Sequence, residues 1–300
     1  MLTNDPTIDI DGILETSEYT ANPFLGELSS NRLIKISIGE SLYILKIYNQ
    51  KDRFENELDF MYLFMKNKCK VPRLIKYSPI NSSQSWILYK YVEGTSLNQM
   101  KSQMPSKMLK HIWKQVGQEL KKIHSISIFN EAEMESNKTD FVNRLKSSIE
   151  NFSNHLDNKN ESVILDDAIH FLKNNLSRIQ KSIFGIVLYD FNDRHIIVRQ
   201  RKEKWIFNAF IDFEQTCFGF LYVDIAGLYI STLLEDKVLE EHFWTGYDPE
   251  RTHFDEYCFF FFLIYFGMEL CTVLRNINAN HYSFGLSIIE KTFARINTLK

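Results

Sequence analysis

A chain of 300 residues with a formal net charge of −3 and a pI near 6.3 lacks the basic surplus of a general nucleic-acid binder. At 44% hydrophobic and 24% charged residues it is globular, with length enough for about two domains. Cys69, Cys217, Cys258 and Cys271 show no C-x-x-C spacing and are expected as reduced, buried thiols of a cytoplasmic protein.

The N-terminal MLTNDPTIDIDGI is acidic and has no apolar signal core, so no targeting segment is expected. Leu33 to Ile38 alternates apolar and polar residues, as a half-buried strand does. Ser41 to Tyr48, SLYILKIY, is a second strand, and Lys46 lies between Leu45 and Ile47. Strand alternation puts Lys46 on the face opposite both neighbours. A lysine there is either a solubilising edge charge or a group that holds phosphate. Asp52 to Asn67 is an amphipathic helix with Phe54, Leu58, Met61 and Met65 on one stripe. Glu57 on this helix is set to face the strand lysine, with Glu55 as the second candidate and plain solvation as the bland one. Trp86 to Val92 is another strand, ending near Gly94, and Met108 to Ile126 is a helix. Two or three more helices fill residues 128–182.

The chemistry concentrates in Ile183 to Glu214. The apolar run Gly185 to Tyr189 delivers Asp190 at a strand's end, and His195 follows five residues later. After Ile196 to Val198 and a charged turn, the run Trp205 to Ile211 delivers Asp212. A hairpin would bring the two carboxylates close enough to share a divalent metal, as phosphoryl transfer needs. A rival register starts at Asp193, but five residues beyond it stands Val198, which binds no metal. Taken alone, Asp190 reads as an ordinary turn residue; the pairing with Asp212 argues otherwise.

Asp224, in Val223 to Leu228, is expected to N-cap a helix and bond backbone near the Asp190 loop. Tyr257 to Met268 is strongly apolar but shorter than the about 20 residues of a membrane span, so a buried helix is expected and no membrane partner. Glu235, Asp236, Glu240, Glu241, Asp248, Glu250, Asp255 and Glu256 face only Lys237 and Arg251 in the same stretch. Such a run is ordinarily a solvated surface. Beside a cleft it would concentrate a cationic ligand.

The order of these features resembles the aminoglycoside phosphotransferase and choline kinase group. The matching series runs from the Phe24 to Arg32 loop through Lys46, Glu57, Val71-Pro72 and Tyr91-Val92-Glu93-Gly94. It continues with Leu120 to His124, Asp190, Ile211-Asp212-Phe213-Glu214 and Asp224. Where that group has His-Gly-Asp, this chain has Leu188-Tyr189-Asp190, and His195 stands at its Asn.

The resemblance implies an α+β, two-lobed protein kinase-like fold. A small mixed-sheet nucleotide lobe would span residues 1–94, and a mostly helical catalytic and acceptor lobe residues 95–300. It implies an ATP- or GTP-dependent, Mg²⁺-requiring kinase that phosphorylates the hydroxyl of a small acceptor, which the acidic run, if it lies beside the cleft, would favour as amine-bearing. Lys46 would hold the phosphates with Glu57 as its ion pair, and Ser29 and Asn31 would sit in the phosphate loop. Tyr91 and Val92 would flank the base, Asp190 would be catalytic, and Asp212 with His195 would hold the metal. His124 would be structural. A His nitrogen is a poorer Mg²⁺ ligand than an Asn oxygen, so the alternative reading is a non-catalytic kinase-fold binding protein.

Overall fold

The computed structural model describes residues 8–24, 31–127, 130–156, 163–252, 254–278 and 280–298. After a short helix, α1 (Ile10–Leu14), come β1 (Thr20–Pro23), β2 (Arg32–Ile38), β3 (Ser41–Tyr48), α2 (Lys51–Lys66), β4 (Leu74–Tyr77) and β5 (Ser85–Lys90). The strands form one sheet in the order β1-β2-β3-β5-β4. Every pairing in it is antiparallel, so the sheet is not mixed as expected. The α2 crossover does join two strands of like direction, β3 and β4. Strand β5 inserts between them, and no parallel pair forms.

Side-chain alternation divides the sheet into two faces. Leu45 and Ile47 pack with Ile13, Ile34, Ile36 and Leu88 in a small core under α1. Lys46 and Tyr48 point the other way, toward α2, whose Phe54, Leu58, Met61 and Phe64 are buried in the main core.

Beyond the sheet the chain passes Gly94, where φ is +132° and a Cβ would run into the Val198 carbonyl. Only glycine meets both conditions. Then follow β6 (Thr95–Ser96), α3 (Leu97–Met100), α4 (Ser106–His124), α5 (Glu131–His155) and α6 (Val163–Ile179). Four short strands come next: β7 (Phe184–Val187), β8 (Ile196–Arg201), β9 (Lys204–Phe210) and β10 (Cys217–Phe220). The helices α7 (Tyr222–Ser231), α8 (Lys237–Tyr247), α9 (Glu256–Cys271) and α10 (Asn280–Thr298) complete the described chain. Strand β7 pairs with β10, while β6, β8 and β9 form a separate sheet.

Helix α9 carries the apolar run and buries it within the helical half, from Cys258 through Cys271. No helix among the described residues is long and apolar enough to cross a membrane.

In the acidic stretch before α9, Glu241, Glu250 and Glu256 are exposed, as a solvated surface would be, while three other carboxylates do structural work. Asp236 and Asp255 cap the N-termini of α8 and α9 by accepting from backbone N–H groups. Asp255 also meets Arg178 at 2.8 Å, and the buried Glu240 lies 3.6 Å from Arg295. The side chain of Glu235 lies outside the described residues. The caps satisfy helix amides that otherwise lack partners.

Candidate active site

Lys46 is the centre of a buried ion cluster. Its Nζ lies 2.8 Å from Glu57, 2.7 Å from Asp212 and 3.1 Å from Glu214. Glu57, not Glu55, faces the lysine; Glu55 pairs with Lys51 one turn away at 3.3 Å. The Glu57 carboxylate also accepts from the hydroxyls of Tyr48, at 2.7 Å, and Tyr89, at 2.8 Å. Three donors therefore satisfy a side chain only 3% exposed, as a buried charge demands. Burial works against the Lys46 charge, but Glu57, Asp212 and Glu214 together hold its pKa above the usual lysine range. Burial and the Glu57 charge keep both tyrosines neutral.

Glu214 is tied down further by Arg53 at 2.6 Å and by the Asn31 amide, which donates to it. Asn31 is buried and also accepts from the Asn49 N–H. Its side chain thus braces Glu214, where the sequence placed it in a phosphate loop. Ser29 lies outside the described residues. At the end of β5 the N–H groups of Lys90 and Tyr91 donate to the Arg73 and Leu42 carbonyls. Tyr91 therefore has no N–H left for a base edge, and Val92 is the remaining donor of the three. The Tyr91 ring lies under Lys35, with Nζ 4.5 Å from its centroid.

The expected catalytic Asp190 and the expected metal ligand Asp212 do not share a hairpin. The β8–β9 hairpin pairs Ile196 with Phe210, which sets His195 beside Asp212; the Ile211 N–H donates to the His195 carbonyl. Asp190 instead follows β7, whose partner is β10. His195 joins the two, because its Nδ1 lies 2.7 Å from the Asp190 carbonyl oxygen. A carbonyl only accepts, so Nδ1 carries the proton and Nε2 is turned to Asp212, 3.8 Å from Oδ2. A gap too long for a hydrogen bond between two such groups suits a cation held between them. The donor set therefore fits a divalent metal, with a carboxylate oxygen from Asp212 and a nitrogen from His195. Glu57, Asp212 and Glu214 also lie close enough together to hold an ion, but Lys46 occupies their midst. Burial resists the Asp212 charge, and Lys46 and then His195 outweigh it, holding its carboxyl below the usual range.

Asp190 is exposed, and its Oδ1 accepts from the Asn192 amide at 3.2 Å. Asp193, the rival, is buried and bonded to Lys101 at 2.6 Å and Thr232 at 2.8 Å, a structural strut with nothing to offer a substrate. Asp224 lies inside the first turn of α7 and does not cap it. Its buried carboxylate accepts from the N–H groups of Leu188, at 2.8 Å, and Tyr189, at 2.9 Å. His124 holds it from behind at 3.0 Å and is itself held by Tyr247 at 2.7 Å.

A family model described as the phosphotransferase enzyme family matches residues 23–259. The chain belongs to this family. A comparison with curated protein sequences returns no match. Among solved structures, the GDP complex of aminoglycoside 2'-phosphotransferase-IIIa is 15% identical, with a TM-score of 0.65 over 92% of this chain and 93% of that one. A spectinomycin phosphotransferase in complex with ADP and spectinomycin is 12% identical, with a TM-score of 0.60 over 91% and 92%. An ethanolamine kinase of Plasmodium vivax is 16% identical, with a TM-score of 0.62 over 95% and 84%. At these identities the structures share the kinase-like fold.

Several residues of this phosphotransferase-family site carry no signal in the sequence. Arg53 is half-buried on α2, one turn before Glu57, and reaches Glu214, 161 positions later. Asn56 donates to the Glu214 and Thr216 carbonyls, pinning the loop after Asp212 to α2. Glu269 lies in α9, where burial and then the Asp190 charge raise its pKa. A single Glu at the end of an apolar helix was the one available hint.

Proposed function

We propose that this family member is an ATP- or GTP-dependent small-molecule kinase that transfers the γ-phosphoryl group to a hydroxyl of a small, amine-bearing acceptor. The observation that supports it most is the continuity of the cluster. Lys46 bonds Asp212, His195 faces Asp212, and His195 bonds the backbone of Asp190. Nucleotide-side, metal-side and acceptor-side groups are thus joined by direct contacts, which is what in-line transfer asks of a protein.

In this reading Lys46, oriented by Glu57, binds the α- and β-phosphates. Asp190 accepts the acceptor hydroxyl proton as its oxygen forms the new bond to the γ-phosphorus and the bond to the β-phosphate oxygen breaks. Bound Mg²⁺ would neutralise phosphate charge, and Asp212 with His195 would hold it. Tyr91 and Val92 flank the base, with the Val92 N–H as hinge donor. Residues 1–94 make the nucleotide lobe and residues 95–300 the catalytic lobe, and the protein works in the cytoplasm. The placement of His195 opposite Asp212 favours the enzyme over a non-catalytic binding protein.

The test is a transfer assay with ATP and GTP against a panel of amino alcohols and amino sugars, run beside a nucleotide thermal-shift titration. Mg²⁺-dependent stabilisation together with phosphorylated product is expected. Stabilisation without product on any alcohol would support the binding protein instead.

A further inference from the structure

Lys35 on β2 is a half-buried cation whose only polar or aromatic partner among the described residues is the Tyr91 ring. The strand register fixes where it stands. Leu33 lies opposite Lys46, and Lys35 lies opposite Ile44. Opposed residues of an antiparallel pair share a sheet face, and so do residues two apart on one strand. Lys35 is therefore on the face to which Lys46 points, about 7 Å from it along the strands. The packing agrees, because Ile34 and Ile36 on either side of Lys35 are buried in the small core on the other face.

The step from Lys46 to Lys35 leads toward the end of β5. There Ile87 lies opposite Lys46 and Tyr89 opposite Ile44, so the next residue of that face is Tyr91, just past the strand. The Lys35 ammonium reaches it and stands 4.5 Å from its ring centroid. The ring attracts the charge through its quadrupole and leaves the ammonium donors for another acceptor.

A nucleotide with its phosphates at Lys46 and its base at Tyr91 and Val92 runs along this face, and its base end meets Lys35. The ammonium only donates. So does the Val92 N–H, since those of Lys90 and Tyr91 are taken by backbone carbonyls. Guanine presents two adjacent acceptors on one edge, O6 and N7, whereas adenine has N7 beside an amino group that is itself a donor. A backbone carbonyl can accept from the amino group of adenine or from the ring N–H of guanine, and so does not choose between them. The lysine does.

We propose that Lys35 sets the base specificity of this site by donating to O6 and N7 of guanine, so that GTP is preferred to ATP. This rests on the kinase reading of Lys46 and of the Tyr91–Val92 segment.

The test is calorimetric binding of GDP, IDP and ADP to the full chain with Mg²⁺, followed by transfer from GTP and from ATP to the panel of amino alcohols and amino sugars. Hypoxanthine keeps the O6 and N7 acceptors of guanine and lacks its 2-amino group. IDP should therefore bind like GDP, and both should bind about tenfold or more tightly than ADP. Lys35→Met keeps the length of the side chain and removes the donors, so GDP and IDP should lose about tenfold more affinity than ADP. The comparison of the three nucleotides on the wild-type chain needs no variant to fold. A wild type that binds ADP as tightly as GDP, or IDP that behaves like ADP, overturns the inference. So does an equal loss for GDP and ADP in Lys35→Met, which would make Lys35 a general attraction for phosphate. A Lys35-dependent preference for GDP without transfer from either triphosphate would uphold the inference and count against the kinase reading, and no binding of any nucleotide would overturn both.

Discussion

The two sides of the site treat charge in opposite ways. Around Lys46 each carboxylate meets a cation: Glu57 and Asp212 meet the lysine, and Glu214 meets both it and Arg53. Around Asp190 the carboxylates meet none among the described residues. Asp190 has an amide for company, and Glu269 has Asp190 itself. Removing charge from water without a cation is costly, and burial and then the Asp190 charge raise the pKa of the half-buried Glu269. The carboxylates of the Lys46 side are neutralised within the fold, whereas those of the Asp190 side are not.

The largest effect that separates the sides is expected from Asp190→Asn. It should lower kcat by about 10²–10⁴-fold while leaving nucleotide affinity near wild type, since its carboxylate touches none of the Lys46 cluster. Asp212→Asn should instead abolish the Mg²⁺ dependence of nucleotide binding in the same titration. If both variants lose nucleotide affinity alike, the division between the sides is wrong.

Stability should fall most with Glu57→Ala. Removing it leaves Lys46 without its most buried partner and strands two tyrosine hydroxyls, at a cost of about 3–5 kcal/mol. Denaturant unfolding measures it, and a loss below about 1 kcal/mol would mean that Asp212 and Glu214 compensate.

The pH response should differ in sign between the sides. The folded pKa of Asp212 is depressed, so its contribution to stability is present above the unfolded value of about 4 and is lost as pH falls through the lower folded value. Asp212→Asn should flatten that acid limb. The folded pKa of Glu269 is raised, so its contribution is full below about 4 and is lost as pH rises through the raised value. Glu269→Gln should therefore raise Tm at neutral pH and leave it unchanged near pH 4, the smallest of these effects. Equal Tm at neutral pH would show that solvent already relieves the Asp190–Glu269 repulsion.

A single-residue exchange sharpens the metal side. His195→Asn replaces the nitrogen with an oxygen ligand, and the Mg²⁺ concentration needed for half-maximal nucleotide binding should drop. An unchanged requirement would place His195 outside the metal's ligands and leave it only its bond to the Asp190 carbonyl.

Much of the Lys46 side was legible. The strand Ser41 to Tyr48 begins and ends where its alternation says, and that alternation alone turns Lys46 away from Leu45 and Ile47 toward α2. The α2 stripe likewise set Glu57 inward and left Glu55 outside. Less was legible at the Asp190 side. The hairpin expected to unite Asp190 with Asp212 unites His195 with Asp212, because β7 pairs with β10 and not with β8. In the acidic run before α9, read mainly as solvated surface, Glu241, Glu250 and Glu256 are exposed while Asp236, Glu240 and Asp255 serve as caps and ion pairs. Glu269, whose pKa burial and then the Asp190 charge raise, was hidden in an apolar helix.

What the sequence determined by itself was therefore periodic: which residues share a strand face or a helix stripe, and the order in which lysine, glutamate and the two aspartates follow. Those properties come from backbone geometry, which repeats every two or 3.6 residues whatever the rest of the chain does. Only the tertiary structure decided who meets whom. Glu214 with Arg53, Asp224 with the Tyr189 amide and His195 with the Asp190 carbonyl are contacts between separate elements. Each depends on how sheet and helices pack, and a short-range pattern in the chain carries no record of that packing.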